Sequence, residues 1–186
     1  GNLRSVQNAL QNLGASYIVT SSPTVLAKAS KVIFPGVGAA GAAMAVLRKC
    51  NLDTAIKALT VPTLGICLGM QLLFEKCEED DTQALGIFQG TVARFDEKIG
   101  IKVPHMGWNR VKTVGKSPLL KGITDELSFY FVHSYAAPVT DDTTGITLYG
   151  RPFSAAVQKK NFYGTQFHPE KSGDNGIQLL RNFLVL

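Results

Sequence analysis

Leu64-Gly65-Ile66-Cys67-Leu68-Gly69-Met70-Gln71 decides the fold, because it places a cysteine between an apolar run and residues that favour a helix. Gly65 and Gly69 stand two residues to either side of Cys67, the spacing of a sharp strand-to-helix elbow that exposes a nucleophile. So tight a bend leaves no room for Cβ atoms at the flanking positions. The pattern predicts a cysteine at a helix N-terminus, where the dipole favours a thiolate and the Leu68 N–H can stabilise an oxyanion.

The helix after the elbow is expected to include Met70 to Glu78, which are mostly helix formers. Gln71 follows Cys67 by four residues, so it lies one turn away on the same face. Cys77 falls ten residues past the nucleophile and is expected to point elsewhere and be packed.

A second motif, His168-Pro169-Glu170, stands near the C-terminus. In an extended segment, residues two apart point to one side, so Glu170 is expected to orient His168 and support its cationic form. Alone, a cysteine is usually a small buried hydrophobe and a His-Pro-Glu run is usually a loop. Both motifs in one chain favour a cysteine-based acyl-transfer enzyme.

The composition suits one domain, residues 1–186, with a full hydrophobic core. No apolar stretch approaches the ~20 residues of a membrane span, and no secretory signal is visible. Three irregularly spaced cysteines argue against a disulfide framework and favour a cytoplasmic location. Their spacing with the histidines fits no zinc site. The net charge of +5 indicates nucleic acid only weakly, because the basic residues are scattered.

Helical and strand patterns alternate in the first half of the chain, which predicts an α/β fold with a mostly parallel central sheet flanked by helices. The predicted first-half elements are helices at 2–13, 25–29, 42–49 and 52–59, and strands at 17–19, 31–34 and 63–67. The second half predicts short strands from 86 to 114, then strands at 128–135, 147–150, 153–158 and 162–167, and a helix at 176–183. Because the chain opens directly on a helix, we expect that a first strand is missing from its N-terminus.

Gly36-Val37-Gly38-Ala39-Ala40-Gly41 matches the Gly-x-Gly-x-x-Gly fingerprint of dinucleotide sites. The acidic partner that such a site needs should end a strand about 20 residues later, but Asp53 looks like part of a helix start. The better interpretation is a flexible turn beside the nucleophile, where Val37 or Gly38 offers a second oxyanion donor.

With the Pro35-Gly36-Val37-Gly38 turn, these motifs resemble class I (triad) glutamine amidotransferases over essentially the whole chain. Further runs resemble the glutaminase-subunit family of imidazole glycerol phosphate synthases; they are Gly1–Ser5, His105–Asn109, Phe131–Tyr135 and Gly164–Ser172. The resemblance implies a flavodoxin-like three-layer fold with a smaller antiparallel sheet besides the central one.

The resemblance also implies a Cys67–His168–Glu170 triad that hydrolyses glutamine through a thioester, with backbone N–H groups of Val37 and Leu68 as the oxyanion hole. Glutamine contacts are implied at Gly36, Gly38, Gln71, Glu79, Ser134 and Tyr135, with Glu79 at the end of the elbow helix facing the α-ammonium. Ammonia would pass to a (β/α)8-barrel cyclase subunit in a heterodimer, which acts on PRFAR in histidine biosynthesis. Asn2, Ser5 and Lys171 are the implied partner contacts. No metal or organic cofactor is implied.

Other interpretations stay open at this point. Glu79 also belongs to an acidic run that a solvated surface explains, Ser134 and Tyr135 can be plain strand residues, and His105 to Asn109 can be a structural or interface loop that places Trp108 in the core or at a partner surface. The chain could be a cysteine peptidase, an amidotransferase subunit for a sugar-modifying synthase, or a non-catalytic binding module. The intact triad argues against the last.

Overall fold

A computed structural model of the protein describes residues 3–36, 38–125 and 127–186. The helices are α1 Leu3–Asn12, α2 Pro23–Leu26, α3 Ala40–Lys49, α4 Leu52–Lys57, α5 Leu68–Gln71 and α6 Gly173–Leu184. The strands are β1 Val32–Gly36, β2 Thr63–Cys67, β3 Phe74–Cys77, β4 Thr82–Gln83, β5 Phe88–Arg94, β6 His105–Arg110, β7 Lys112–Thr113, β8 Ser128–His133, β9 Tyr135–Ala136, β10 Thr143–Tyr149, β11 Arg151–Lys159 and β12 Phe162–Thr165.

The central sheet has six strands in the order β1-β2-β12-β11-β10-β7. β1, β2 and β12 are parallel to one another, whereas β11, β10 and β7 are added antiparallel. The sheet is therefore mixed rather than mostly parallel. The reason is loop length: the single residue Gly150 joins β10 to β11 and two residues join β11 to β12, and such short connections force an antiparallel pairing.

Two smaller sheets stand beside the central one. β4, β3, β5 and β9 form a four-stranded sheet in that order, in which β3 and β5 are parallel and the other pairs are antiparallel. β6 and β8 form an antiparallel two-stranded ribbon with His105 opposite His133 and Trp108 opposite Tyr130. The His105–Asn109 run is thus part of a strand and not a loop.

Two apolar clusters make up the core. One contains Val6 and Leu10 of α1, Leu179 and Phe183 of α6, and buried side chains of β2, β8 and β11. The other contains Met44 and Leu47 of α3, Ile56 of α4, and buried side chains of α5, β3 and β5. α1 and α6 on one side and α3 and α4 on the other give the three-layer arrangement that was expected.

Two predicted elements are wrong. The helix after the elbow ends at Gln71, and Phe74 to Cys77 form β3, because Phe74 and Cys77 are buried at both ends of a strand whose Glu75 is exposed. Residues 17–19 form no strand, and Ile18 is 80% exposed. The helix at α2 begins at Pro23 with Ser22 as its N-cap, as predicted. Within the described residues, no helix has the length and apolar character to cross a membrane.

Candidate active site

Cys67 ends β2 at the bend that the sequence predicts. Its backbone angles, φ 54° and ψ −113°, are ones that a residue with a side chain rarely adopts. The neighbouring glycines are required by close approach, because a Cβ on Gly69 would overlap the Phe34 carbonyl and one on Gly65 would lie 2.8 Å from the Met70 nitrogen. Cys67 is therefore held in a strained elbow at the start of α5, where its side chain is half-buried.

The glycine turn after β1 lies against this elbow. Gly36 pairs with Cys67 in the parallel register, and a Cβ on Gly36 would overlap the backbone nitrogen of Gly69. Gly38 has a φ of +79°, which favours glycine. Val37 lies outside the described residues, so its part in an oxyanion hole stays a prediction. Leu68, the other predicted donor, is the first residue of α5.

Acidic groups occupy the start of α3, where a dinucleotide would place its pyrophosphate. Glu79 Oε2 accepts a hydrogen bond from the Ala40 N–H at 2.8 Å, and Asp80 packs against Gly41. Asp53 lies in the first turn of α4 rather than at a strand end. A pyrophosphate would meet two carboxylates here, so the structure contradicts the dinucleotide interpretation.

His168 and Glu170 form the expected pair, although Pro169–Lys171 is a turn of 3₁₀ helix and not an extended segment. The Nδ1–H of His168 donates to Glu170 Oε1 at 2.8 Å, and both side chains are buried. Burial by itself would lower the pKa of His168, but the hydrogen bonds and charges of Cys67 and Glu170 outweigh it and raise the pKa to about 9. Nε2 is the ring nitrogen left for Cys67; no described residue hydrogen-bonds to it with standard geometry.

Ser172 anchors the segment that carries His168, and sequence reasoning missed it. Its hydroxyl donates to the His168 carbonyl at 2.6 Å and accepts from the Tyr130 N–H at 3.0 Å. The His168 N–H in turn donates to the Tyr130 carbonyl at 2.9 Å. The segment is thereby tied to β8. The spacing of these residues along the chain gives no such signal, because the contacts depend on a distant strand.

Gln71 is buried one turn after Cys67, as predicted, and it faces Gln166, which sequence reasoning also missed. The Gln71 Nε2 group donates to the Tyr135 carbonyl and to Gln166 Oε1, both at 2.9 Å. Gln166 Nε2 lies 3.8 Å from the Cys67 sulfur, and that sulfur lies 3.9 Å from the Val132 carbonyl. Both hydrogens of the Gln71 amide are thus used inside the protein, which leaves its Oε1 to accept from a ligand.

The other predicted glutamine contacts lie on elements around this point. Glu79 follows β3 in a short 3₁₀ turn, and not the elbow helix, since that helix ends at Gln71. Ser134 and Tyr135 are half-buried where β8 passes into β9. Burial and the charge of Glu79 raise the pKa of the Tyr135 hydroxyl, which places Glu79 within electrostatic reach of it.

His105 and His133 extend the same network. His133 Nδ1 donates to the Tyr135 carbonyl at 2.7 Å, and His133 Nε2 lies 2.9 Å from His105 Nδ1. Asn109 Nδ2 lies 3.2 Å from His105 Nε2 and donates to the Leu148 carbonyl at 3.2 Å. Burial lowers the pKa of His105 to about 4 and that of His133 to about 3. Both rings are therefore neutral at neutral pH.

The predicted partner contacts are brought onto neighbouring elements. Ser5 lies half-buried on α1, which packs against the turn that holds Lys171, and Asn2 lies outside the described residues. Lys171 is exposed with its Nζ 5.7 Å from the Tyr130 ring centre. Met106 and Trp108 are 62% and 59% exposed on the outer face of β6.

The remaining cysteines stand apart from this chemistry. Cys77 is fully buried, as expected, and burial raises the pKa of its thiol to about 11. All three cysteines are free thiols. In the parts of the chain that the structure describes, no group of three or more His, Cys, Asp or Glu side chains is placed to hold a metal.

The sequence pattern described as glutamine amidotransferase class-I matches residues 1–186. The chain belongs to this family. Its curated relatives include imidazole glycerol phosphate synthase subunit HisH of Bacteroides fragilis, 53% identical over all of this chain and 95% of that protein, and HisH of Xanthomonas euvesicatoria, 50% identical over all of this chain and 92% of that protein. These matches confirm the resemblance to the glutaminase subunit.

Solved structures support the fold. A GMP synthase subunit protein from Thermoplasma acidophilum superposes with a TM-score of 0.73 at 20% identity, covering all of this chain and 87% of that one. A second protein, a glutamine amidotransferase, gives 0.73 at 19% identity, covering all of this chain and 93% of that one. The expected class I glutamine amidotransferase fold is thereby confirmed.

Proposed function

We propose that this chain is the glutaminase subunit of imidazole glycerol phosphate synthase. It hydrolyses glutamine to glutamate and ammonia and passes the ammonia to a cyclase subunit in histidine biosynthesis. One observation carries the proposal: a strained cysteine elbow and a buried His168–Glu170 pair stand together in a chain about half identical, over its full length, to HisH subunits.

The proposed reaction uses the three side chains in turn. The Cys67 thiolate attacks the side-chain amide carbon of glutamine, and backbone N–H groups of Leu68 and Val37 hold the resulting oxyanion. His168 Nε2 gives its proton to the departing ammonia and then takes one from the water that attacks the thioester. Glutamate leaves, and the sulfur regains its starting state. Glu170 holds Nδ1 of the imidazole and supports its charge throughout.

The proposed glutamine contacts are Gly36, Gly38, Gln71, Glu79, Ser134 and Tyr135. Gln71 offers only its Oε1, because both amide hydrogens are already donated, so it accepts from an N–H group of the substrate. The second oxygen of Glu79 suits the α-ammonium, since the first caps α3. Gly36 and Gly38 bring the turn backbone close to the sulfur.

The proposed partner is the (β/α)8-barrel cyclase, which uses the ammonia to convert PRFAR to imidazole glycerol phosphate and AICAR; the lyase step belongs to that subunit. The ribbon face with Met106 and Trp108 supports docking here, because the Val132 carbonyl on the same ribbon lies 3.9 Å from the Cys67 sulfur. Asn2, Ser5 and Lys171 complete the proposed heterodimer interface. The whole chain acts as one domain, in the cytoplasm, where a reducing environment preserves the thiol nucleophile.

The test measures glutamine hydrolysis by this chain alone and with a matching cyclase subunit carrying its nucleotide ligand. We expect low activity alone, because the Gly36–Gly38 turn can leave its oxyanion donor misoriented, and strong stimulation by the liganded partner. Cys67→Ala should abolish both activities, whereas Cys50→Ala, at a cysteine outside the site, should not. Full activity without the partner would point to a stand-alone hydrolase, and peptide cleavage without glutaminase activity to a peptidase.

A further inference from the structure

Gln166 stands between the nucleophile and the base. It follows β12 directly, its side chain is completely buried, and its backbone N–H donates to the Ala155 carbonyl at 2.8 Å. Its side-chain Nε2 reaches to 3.8 Å from the Cys67 sulfur. The proposed reaction gives this buried amide no task, although it contacts the reacting atom.

The orientation of this amide is determined by a carbonyl that can only accept. Gln71 must turn its NH2 group toward the Tyr135 oxygen, and the second hydrogen of the same group meets Gln166 Oε1. Flipping Gln166 would oppose two NH2 groups at 2.9 Å. The sulfur therefore faces the NH2 group of Gln166 and not its oxygen.

The Tyr135 carbonyl is itself held by the two histidines. It accepts from His133 Nδ1, so His133 Nε2 carries no proton in the neutral ring and accepts from His105 Nδ1. His105 Nε2 then accepts from Asn109, whose other hydrogen goes to the Leu148 carbonyl. Every donor in the chain points one way. Since burial lowers the pKa of both rings, this direction does not change near neutral pH.

We propose that Gln166 is a further catalytic residue, whose Nε2–H donates a hydrogen bond to the Cys67 thiolate, and that Gln71 is its positioning residue. In the thiol form, the S–H group faces the Val132 carbonyl at 3.9 Å. Once the proton leaves, that carbonyl repels the sulfur, and the Gln166 N–H is the neutral donor that remains. A hydrogen bond to a charged group corresponds to roughly a tenfold or larger change in the ionisation equilibrium.

The test is the pH dependence of Cys67 alkylation by iodoacetamide in the full chain. Gln166→Glu keeps an oxygen for Gln71 but replaces the donor, and Gln166→Leu removes both groups. We expect both variants to shift the Cys67 ionisation at least about one pH unit upward, with Glu shifting it further. The groups that also face this sulfur are His168 and, through it, Glu170, so each variant is measured again with His168→Gln.

The inference rests on the proposed function only in using Cys67 as the nucleophile, and the experiment separates the two. Alkylation needs neither glutamine nor a partner, and Cys77, which is fully buried, reports unfolding if it becomes reactive. If the wild-type Cys67 ionises as an ordinary thiol, the nucleophile assignment fails and this inference with it. If the wild-type ionisation is lowered and a folded Gln166→Glu protein matches it, only the role of Gln166 is overturned.

Discussion

Backbone strain at one residue joins stability to function in this protein. Cys67 adopts φ 54° and ψ −113°, which costs a residue with a Cβ on the order of 1–3 kcal/mol. The surroundings maintain it, because β2 is paired on both sides and α5 packs against the end of β1. The sulfur is thereby presented at the elbow, where a relaxed backbone would withdraw it.

Replacing Cys67 by glycine should therefore stabilise the fold while removing the nucleophile. We expect the free energy of unfolding of Cys67→Gly to exceed that of Cys67→Ala by roughly 1–2 kcal/mol, because glycine adopts positive φ without penalty. Urea unfolding monitored by circular dichroism measures both proteins.

Cys50 gives the matched control, since its φ is −95° at the end of α3. There the order should reverse, and Cys50→Gly should be less stable than Cys50→Ala. Equal stability of the two Cys67 variants would show that the elbow stores no strain.

At the scale of elements, the segment from β12 to α6 carries the base, and one hydroxyl attaches it to β8. Ser172 Oγ makes two hydrogen bonds, to the His168 carbonyl and from the Tyr130 N–H. We expect Ser172→Ala to lower the free energy of unfolding by about 1–3 kcal/mol, because it leaves two buried backbone groups short of a hydrogen bond. Chemical denaturation measures the change, and glutamine turnover in the complex should fall with it.

Ser117→Ala is the control for the same chemical change. The Ser117 hydroxyl is buried and has no hydrogen-bond partner among the described residues, so its removal should alter stability by less than about 0.5 kcal/mol. If the two substitutions have equal effects, Ser172 does not anchor the segment.

Local patterns were sufficient to predict the elements that hold the nucleophile. β2 spans Thr63–Cys67 as predicted, since its apolar run and flanking glycines encode both the strand and the bend. The following helix was wrong because Glu75 and Lys76 favour helices, while pairing of β3 with β5 and β4 decides the structure. Gln166 and Ser172 were missed because their partners are distant in sequence: Gln71 lies 95 residues from Gln166, and Tyr130 lies 42 residues from Ser172.

At the scale of the whole molecule, the histidines couple global stability to pH with opposite signs. His105 and His133 have lowered pKa values, so between about pH 5 and 6 only the unfolded chain protonates them, and stability falls as pH falls. His168, with its pKa raised to about 9, is protonated in both states over that range. Its stabilising contribution is fully present below the unfolded pKa of about 6.5 and is lost as pH rises toward 9.

His105→Gln should therefore flatten the acid side of the stability curve. Between about pH 5 and 6 we expect the slope of the unfolding free energy to decrease by about 1.4 kcal/mol per pH unit, the value for one proton. Urea titrations at several pH values measure the slope. The carboxylates are common to both proteins and cancel in the difference, so an unchanged slope would mean that His105 is already protonated in the folded state.

Assembly with a second protein is the largest-scale property, and the β6–β8 ribbon is where the structure supports it. Trp108 and Met106 project outward on β6, and the Trp108 ring meets Tyr130 edge-on at 6.2 Å, with Lys171 beside the same tyrosine. A large aromatic side chain held in place by a neighbour, next to a cation and close to the nucleophile, is typical of an interface hot spot.

We expect Trp108→Ala to weaken binding of the cyclase subunit roughly thirtyfold, the effect of losing about 2 kcal/mol at a hot spot. The unfolding midpoint of the isolated chain should change little, because this side chain is mostly exposed. Val46→Ala is the control: Val46 is equally exposed at 59%, but it lies on α3, which packs in the other core cluster. Isothermal titration calorimetry measures both affinities. Equal affinities for the two variants would move the docking surface away from the ribbon, and ammonia would then need a different exit from the Cys67 site.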